Sequence, residues 1–133
     1  GLRGSIPPEL GKLGRLSVLN LARNNLVGSI PPELGNLSSL GLMLLQQNSL
    51  SGSIPIELGS LGSLQIVDLS YNQLNGSLPP DLRSLSSLEC IGLVSNLLSG
   101  SIPSTLGRME RLRELFLQGN RLSGSLPPEL GNL

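Results

Sequence analysis

The strongest constraint on this chain is a period of 24 residues. The octet Gly-Ser-Ile-Pro-Pro-Glu-Leu-Gly occupies positions 4–11 and returns unchanged at 28–35. Variants of it begin at Gly52, Gly76, Gly100 and Gly124. Between octets each full row follows L-x-x-L-x-x-L-x-L-x-x-N-x-L, as in Leu13, Leu16, Leu19, Leu21, Asn24 and Leu26, with another aliphatic residue such as Val67 at some leucine places. Self-similarity at this length means a solenoid, in which each coil stacks only on its neighbours.

Each column has a physical reason. Around Leu19 and Leu21 the side chains alternate with period two, as a half-buried strand requires. Strands of successive rows are expected to pair in parallel, at roughly 4.8 Å per row. Leu13, Leu16 and Leu26 are expected to point into the same narrow core from the turns. Asn24, Asn48, Asn72, Asn96 and Asn120 fall where the chain turns sharply. Their amides can bond turn backbone that would otherwise be buried unpaired, so this ladder reads as structural. In the octet, glycine permits a bend. Ser-Ile or Ser-Leu forms a short extended piece, and proline opens a brief 3-10 turn. Glu9, Glu33, Glu57, Asp81 and Glu129 sit in that first turn, favoured by the local dipole. Leu-Gly closes it, so the octet is expected to be the convex return of each coil.

Composition removes several function classes. Nine Lys plus Arg balance nine Asp plus Glu, and aromatics are 2%. Neither a basic surface nor stacking platforms for nucleic acid are implied, and no electrostatic case exists for a membrane. No apolar run approaches the length of a membrane span, and no signal peptide is visible at Gly1-Leu2-Arg3. Cys90 is the single cysteine, which rules out an internal disulfide or a thiolate zinc cluster. With no histidine, the usual general base and the commonest metal ligand are both missing.

The pattern L-x-x-L-x-x-L-x-L-x-x-N-x-L-x-G-x-I-P-x-x-L-G resembles the plant-specific class of leucine-rich repeats, and the match runs through essentially the whole chain. The resemblance implies an α/β solenoid, a right-handed coil with a parallel sheet on its concave face. Short 3-10 turns and proline-containing returns would line the convex side. It implies one domain over residues 1–133, with repeats starting at 4, 28, 52, 76 and 100 and partial repeats at both ends. That family includes receptor-like kinase and receptor-like protein ectodomains and polygalacturonase-inhibiting proteins. Its members bind peptides, steroid hormones, co-receptors or foreign proteins, mostly along the concave face or its flank. An extracellular or cell-surface setting follows from the same resemblance. The chain lacks the paired-cysteine caps usual in extracellular members, so it is expected to be a fragment of a longer protein, the alternative being a short gene product with unusual ends. Its open sheet edges are then candidate surfaces for self-association.

No catalytic constellation is present, and the chain is expected to be neither an enzyme nor a cofactor or metal protein. Gly11-Lys12 echoes a phosphate loop, but Ile6 stands where a glycine is required and Leu13 where a hydroxyl is. Asp68 and Glu114 fall on the concave face two repeats apart, at roughly 9–10 Å by strand spacing. No third group orients them, and both read as solvated carboxylates. Arg108, Arg111, Arg113 and Arg121 are interleaved with Glu110 and Glu114 and read as solvated surface. Asn36-Leu37-Ser38 and Asn75-Gly76-Ser77 are candidate N-glycosylation sequons, both expected in exposed turns.

Scaffold columns repeat, so individuality lies in the columns that do not. Val18, Leu42, Leu44, Ile66 and Cys90 are expected to form an apolar stripe on the concave strands, with Asp68, Tyr71 and Phe116 beside it. These eight residues are the candidate partner-binding site. The expected function is recognition of a peptide or protein on the concave face, as part of a plant receptor-like ectodomain. The alternatives are a polygalacturonase-type inhibitor and an ice-binding surface. The column Ser5, Ser29, Ser53, Ser77, Ser101 and Ser125 motivates the latter.

Overall fold

A computed structural model describes residues 1–133 except 81 and 83. Its strands, in chain order, are β1 (Arg3–Gly4), β2 (Val18–Asn20), β3 (Asn25–Ser29), β4 (Leu42–Leu44), β5 (Ser49–Ser53), β6 (Ile66–Asp68), β7 (Gln73–Asn75), β8 (Cys90–Gly92), β9 (Ser99–Gly100), β10 (Glu114–Phe116) and β11 (Arg121–Leu122). Five 3-10 turns lie among the described residues, at Pro8–Lys12, Pro32–Asn36, Ile56–Ser60, Ser104–Arg108 and Pro128–Asn132. The arrangement is the expected leucine-rich-repeat solenoid.

Strands β2, β4, β6, β8 and β10 form the concave sheet, all parallel and in the order of the coils. Its register follows the repeat: Val18 faces Leu42, Leu42 faces Ile66, Ile66 faces Cys90 and Cys90 faces Glu114. The inward column from these strands is buried at Leu19, Met43, Val67 and Ile91. The leucines after each strand and the apolar residues of the returns close the core behind it. Leu13 departs from the expectation: it is 49% exposed, whereas Leu37, Leu61, Leu85 and Met109 in the same column are buried. Leu13 stands in the first coil described, whose return packs on that of the second coil.

A second parallel sheet runs along the flank, which the sequence reading did not foresee. It joins β1, β3, β5 and β7 in that order, and β9 pairs with β11 farther along. The octet therefore begins on this sheet: Gly28-Ser29 and Gly52-Ser53 end β3 and β5. The glycines are obligatory there for a backbone reason, with φ of 79° at Gly28 and 77° at Gly52. The flank register is staggered relative to the repeat, Ser29 facing Ser51 and Ser53 facing Asn75. Asn75 thus lies on a strand, not in a turn as expected; Asn36 ends the second 3-10 turn, and both are exposed.

The acidic column behaves as read. Glu9, Glu33, Glu57 and Glu129 all occupy the first turn of their 3-10 segments, while Asp81 lies outside the described residues. In the fourth octet Arg83 stands where the others have glycine, and it too lies outside the described residues.

The asparagine ladder does more than close its own turn. Asn72 Nδ2 donates to the carbonyls of Leu69 (3.1 Å) and Ser70 (3.3 Å) in its own coil. It also reaches the Leu45 carbonyl of the preceding coil (3.1 Å), while Oδ1 accepts the Leu50 N–H (2.9 Å). Asn48, Asn96 and Asn120 repeat this bridging to the coil before. Asn24 accepts from Leu2 N–H in the same way.

The network also sets the cost of losing one member. In Asn72→Ala the Leu45 carbonyl keeps its bond from Asn48, and the Leu69 carbonyl keeps its bond from Asn96. The Ser70 carbonyl keeps the Gln47 N–H. The buried Leu50 N–H alone loses its acceptor. One orphaned buried donor is worth about 1–3 kcal/mol, so Asn72→Ala is expected to lower stability in urea titration by that amount. A silent substitution would show that the ladder carries no weight.

Candidate functional site

Seven of the eight residues singled out from sequence fall in two cross-strand rows, and Tyr71 stands in the turn beyond them. Val18, Leu42, Ile66 and Cys90 form one cross-strand row, as their register dictates. Val18 is 50% and Ile66 38% exposed, and Leu42 and Cys90 are half-buried. Leu44 and Asp68 face one another in the next row, which continues through Gly92 to Phe116. Leu44 projects outward because its neighbours Met43 and Leu45 are both buried.

A hollow of about 370 Å³ lies on this face. Leu44, Ile66, Asp68, Tyr71, Cys90 and Phe116 line it, and Val18 and Leu42 lie beyond its rim. The structure adds Arg23, Gln46, Gln47, Ser70, Gly92 and Val94 to the lining. The decisive addition is Gly92. A Cβ there would lie 2.9 Å from Asp68 Cγ and 3.1 Å from Ser70 Oγ. The carboxylate occupies the space that a side chain in β8 would fill. Sequence reasoning placed these residues in the variable columns, but nothing in one sequence told which of them meet in a depression.

The polar groups of the hollow are tied down in part. Asp68 Oδ1 accepts the Ser70 N–H (3.0 Å), and Ser70 Oγ accepts the Val94 N–H (3.1 Å). Gln46 Oε1 is buried without a hydrogen-bond donor. Burial, aided by a hydrogen bond from the thiol to Glu114 and by the Glu114 and Asp68 charges, pushes Cys90 up to about 11. It is therefore a protonated thiol at neutral pH, unsuited to nucleophilic chemistry.

Tyr71 is held in the left-handed region with φ of 56°, as are Arg23, Gln47 and Ser95; Gly119 takes the same place in the fifth coil. The conformation is a property of the turn before each asparagine, since it recurs coil by coil. Its effect is to aim four variable side chains along the same edge of the concave sheet. Tyr71 is 53% exposed there, and Phe116 is 42% exposed at the next side of the hollow.

Among the described residues, no group of three His, Cys, Asp or Glu is placed to hold a metal ion. No described helix is long and apolar enough to cross a membrane.

Parallel coils with an inward aliphatic ladder, a bridging asparagine ladder and a concave face whose residues differ from coil to coil define a repeat solenoid. The chain belongs to the leucine-rich repeat family, whose model, Leucine Rich Repeat, matches residues 15–37, 63–85 and 111–133. No curated protein sequence matches it. Among solved structures it is similar to the plant peptide hormone receptor RGFR1 in complex with RGF2. That similarity is 44% identity at a TM-score of 0.96, over 98% of this chain and 21% of that one. It is similar too to the ectodomain of the Arabidopsis thaliana membrane receptor kinase GASSHO1/SCHENGEN3, in complex with CASPARIAN STRIP INTEGRITY FACTOR 2. There the identity is 43% and the TM-score 0.97, over 98% of this chain and 16% of that one. A plant ice-binding protein is 36% identical with a TM-score of 0.92, over 97% of this chain and 42% of that one. The chain thus spans about a fifth of the length of the two receptor structures.

Proposed function

We infer that this chain is a non-catalytic recognition segment of a plant receptor-like ectodomain, which holds a peptide or protein partner on its concave face. The observation that carries this reading is the concave hollow, built from non-repeating residues on a scaffold whose repeating residues are buried. The similarity to receptor ectodomains solved with their ligands supports it. The same similarity supports an extracellular or cell-surface setting, and the exposed sequons at Asn36 and Asn75 suit glycosylation there. Val18 and Leu42 extend the apolar row away from the hollow and would contact the partner's continuation. The polygalacturonase-inhibitor alternative gains no support from a face whose centre is aliphatic.

The test is a surface substitution. Leu44→Glu places a charge at the centre of the face without entering the core. It is expected to leave the melting temperature unchanged and to weaken partner binding at least tenfold, about 1.4 kcal/mol. Glu57→Lys, in the exposed convex turn, is expected to leave binding intact. The partner would come from capture on plant cell-wall extract, and titration calorimetry would compare the variants. Full binding by Leu44→Glu with loss in Glu57→Lys would move the site to the convex side.

A second reading, ice binding, is favoured by the similarity to the plant ice-binding protein and by the flank sheet with its exposed serines. The flank stagger places Ser29 opposite Ser51 and not opposite its repeat mate Ser53. Inhibition of ice recrystallisation, abolished by Ser53→Tyr and untouched by Leu44→Glu, would establish this reading in place of the first.

A further inference from the structure

The chemistry of the concave hollow narrows what it can hold. Its floor is the Gly92 backbone, and the Asp68 carboxylate lies against that floor. Among the described residues, Asp68 Oδ1 takes the Ser70 N–H and Oδ2 remains free. A second carboxylate, Glu114, reaches the same neighbourhood through Cys90, whose thiol feels both negative charges. A further acceptor is the Gln46 carboxamide, whose Oε1 has no donor. That oxygen is buried, so it adds to the polarity of the lining and is not itself a contact for an occupant. Arg23 lines the far margin and is exposed, and Asp68 is the carboxylate of the lining itself. The walls between these groups are Leu44, Ile66 and the ring of Phe116.

Free acceptors, aliphatic walls and an aromatic face call for one kind of occupant. It donates to the Asp68 carboxylate, carries positive charge, and brings a long apolar stem. Lysine and arginine side chains have these properties, and a ring beside the cation adds attraction. A carboxylate or phosphate would meet the Asp68 charge, against which the lining sets Arg23 and the neutral donors of Tyr71, Ser70 and Gln47.

We propose that the hollow seats a lysine or arginine side chain of a bound peptide, its stem along Leu44 and Ile66 and its cation against the free Asp68 oxygen. The assignment rests on the concave face being the peptide-binding face. Charge-assisted bonds to a single partner of this kind carry roughly a tenfold or greater change in affinity.

The experiment selects short peptides of random sequence, acetylated at the amino terminus, on the wild-type chain. The blocked terminus leaves side chains as the cations on offer. Lysine or arginine is expected to be enriched at one position. The enriched peptides are expected to bind Asp68→Asn at least about tenfold more weakly. Asparagine keeps an acceptor for the Ser70 N–H, and an unchanged melting temperature verifies the fold. Phe116→Leu, at the exposed edge, supplies an independent variant and is expected to weaken the same peptides. Selected peptides that lose binding in Leu44→Glu yet show no lysine or arginine preference would overturn this assignment and leave the concave-face reading standing. Peptides indifferent to both Leu44→Glu and Asp68→Asn, or no retained peptide at all, would overturn both.

Discussion

Leu69→Ala is expected to lower the free energy of unfolding by about 2–5 kcal/mol, in the upper part of that range. Leu69 is buried in the middle coil, with Leu45 and Leu93 in the same column of the coils on either side, both buried as well. Deleting its side chain removes apolar contacts with both neighbours. The core beside it already holds an apolar hollow of about 50 Å³, lined by Leu69, Leu64, Leu88 and Leu93 among others. A new void would merge with that space, which has no polar group to hold a water. The surroundings therefore have less chance to collapse onto the deletion. In the same column Leu117, of the fifth coil, is half-buried, and Leu117→Ala is expected to cost markedly less. Urea denaturation of the two variants measures the contrast. Equal costs, or a silent Leu69→Ala, would mean that the core does not run through the column as described.

What was legible in the sequence was what a single coil displays by its own residue pattern. Period-two alternation around Leu19 and Leu21 located the concave strands. The octet prolines located the five 3-10 turns described, and the asparagine located the sharp turn. The flank sheet was not legible, for a physical reason. The stretch Asn25–Ser29 contains a serine and a glycine of positive φ, which weaken any strand signal. Its strand character comes from pairing with the neighbouring coils, such as Val27 with Ser49. The bridging half of the asparagine ladder was hidden in the same way. Its partners lie 22 and 27 residues upstream, and a column pattern records that a residue matters without naming what it touches.

The site was legible as a set of columns and illegible as a shape. Leu44, Ile66, Asp68, Tyr71, Cys90 and Phe116 came from reading which concave positions vary. Gly92 looked like one more variable residue, although its missing side chain is what opens the hollow. Gln46 read as one more non-repeating residue, because an unpaired acceptor is a property of surroundings and not of residue type. In a solenoid the scaffold is written once per coil, whereas a binding site is written across coils. The second needs the register.

Gly35→Ala shows the same division at the scaffold itself and is expected to cost about 3 kcal/mol, at the upper end of ordinary overpacking. Sequence reading took Leu34-Gly35 as the close of a turn. The backbone at Gly35 does not need a glycine for conformational reasons, since its φ is not among the positive ones. On chain entropy alone alanine would stabilise the fold by about 0.4–1 kcal/mol. The obstacle is the next coil. A Cβ at Gly35 would overlap the carbonyl of Glu57, in the 3-10 turn stacked upon it. Gly11 stands in the same relation to Glu33, and Gly107 to Glu129. A backbone carbonyl cannot rotate away as a flexible side chain can, so adjacent turns must separate and every contact between them loosens. The control lies in the same column. Gly131 has the same Pro-Glu-Leu-Gly context and the same turn, but nothing lies within 4 Å of a Cβ built there. Gly131→Ala is expected to change stability by no more than about 0.5 kcal/mol, as an unobstructed surface substitution does. Chemical denaturation of both variants decides the matter. If they lose equal stability, the glycine column answers to its own turn and the close stacking of convex turns is not what fixes it.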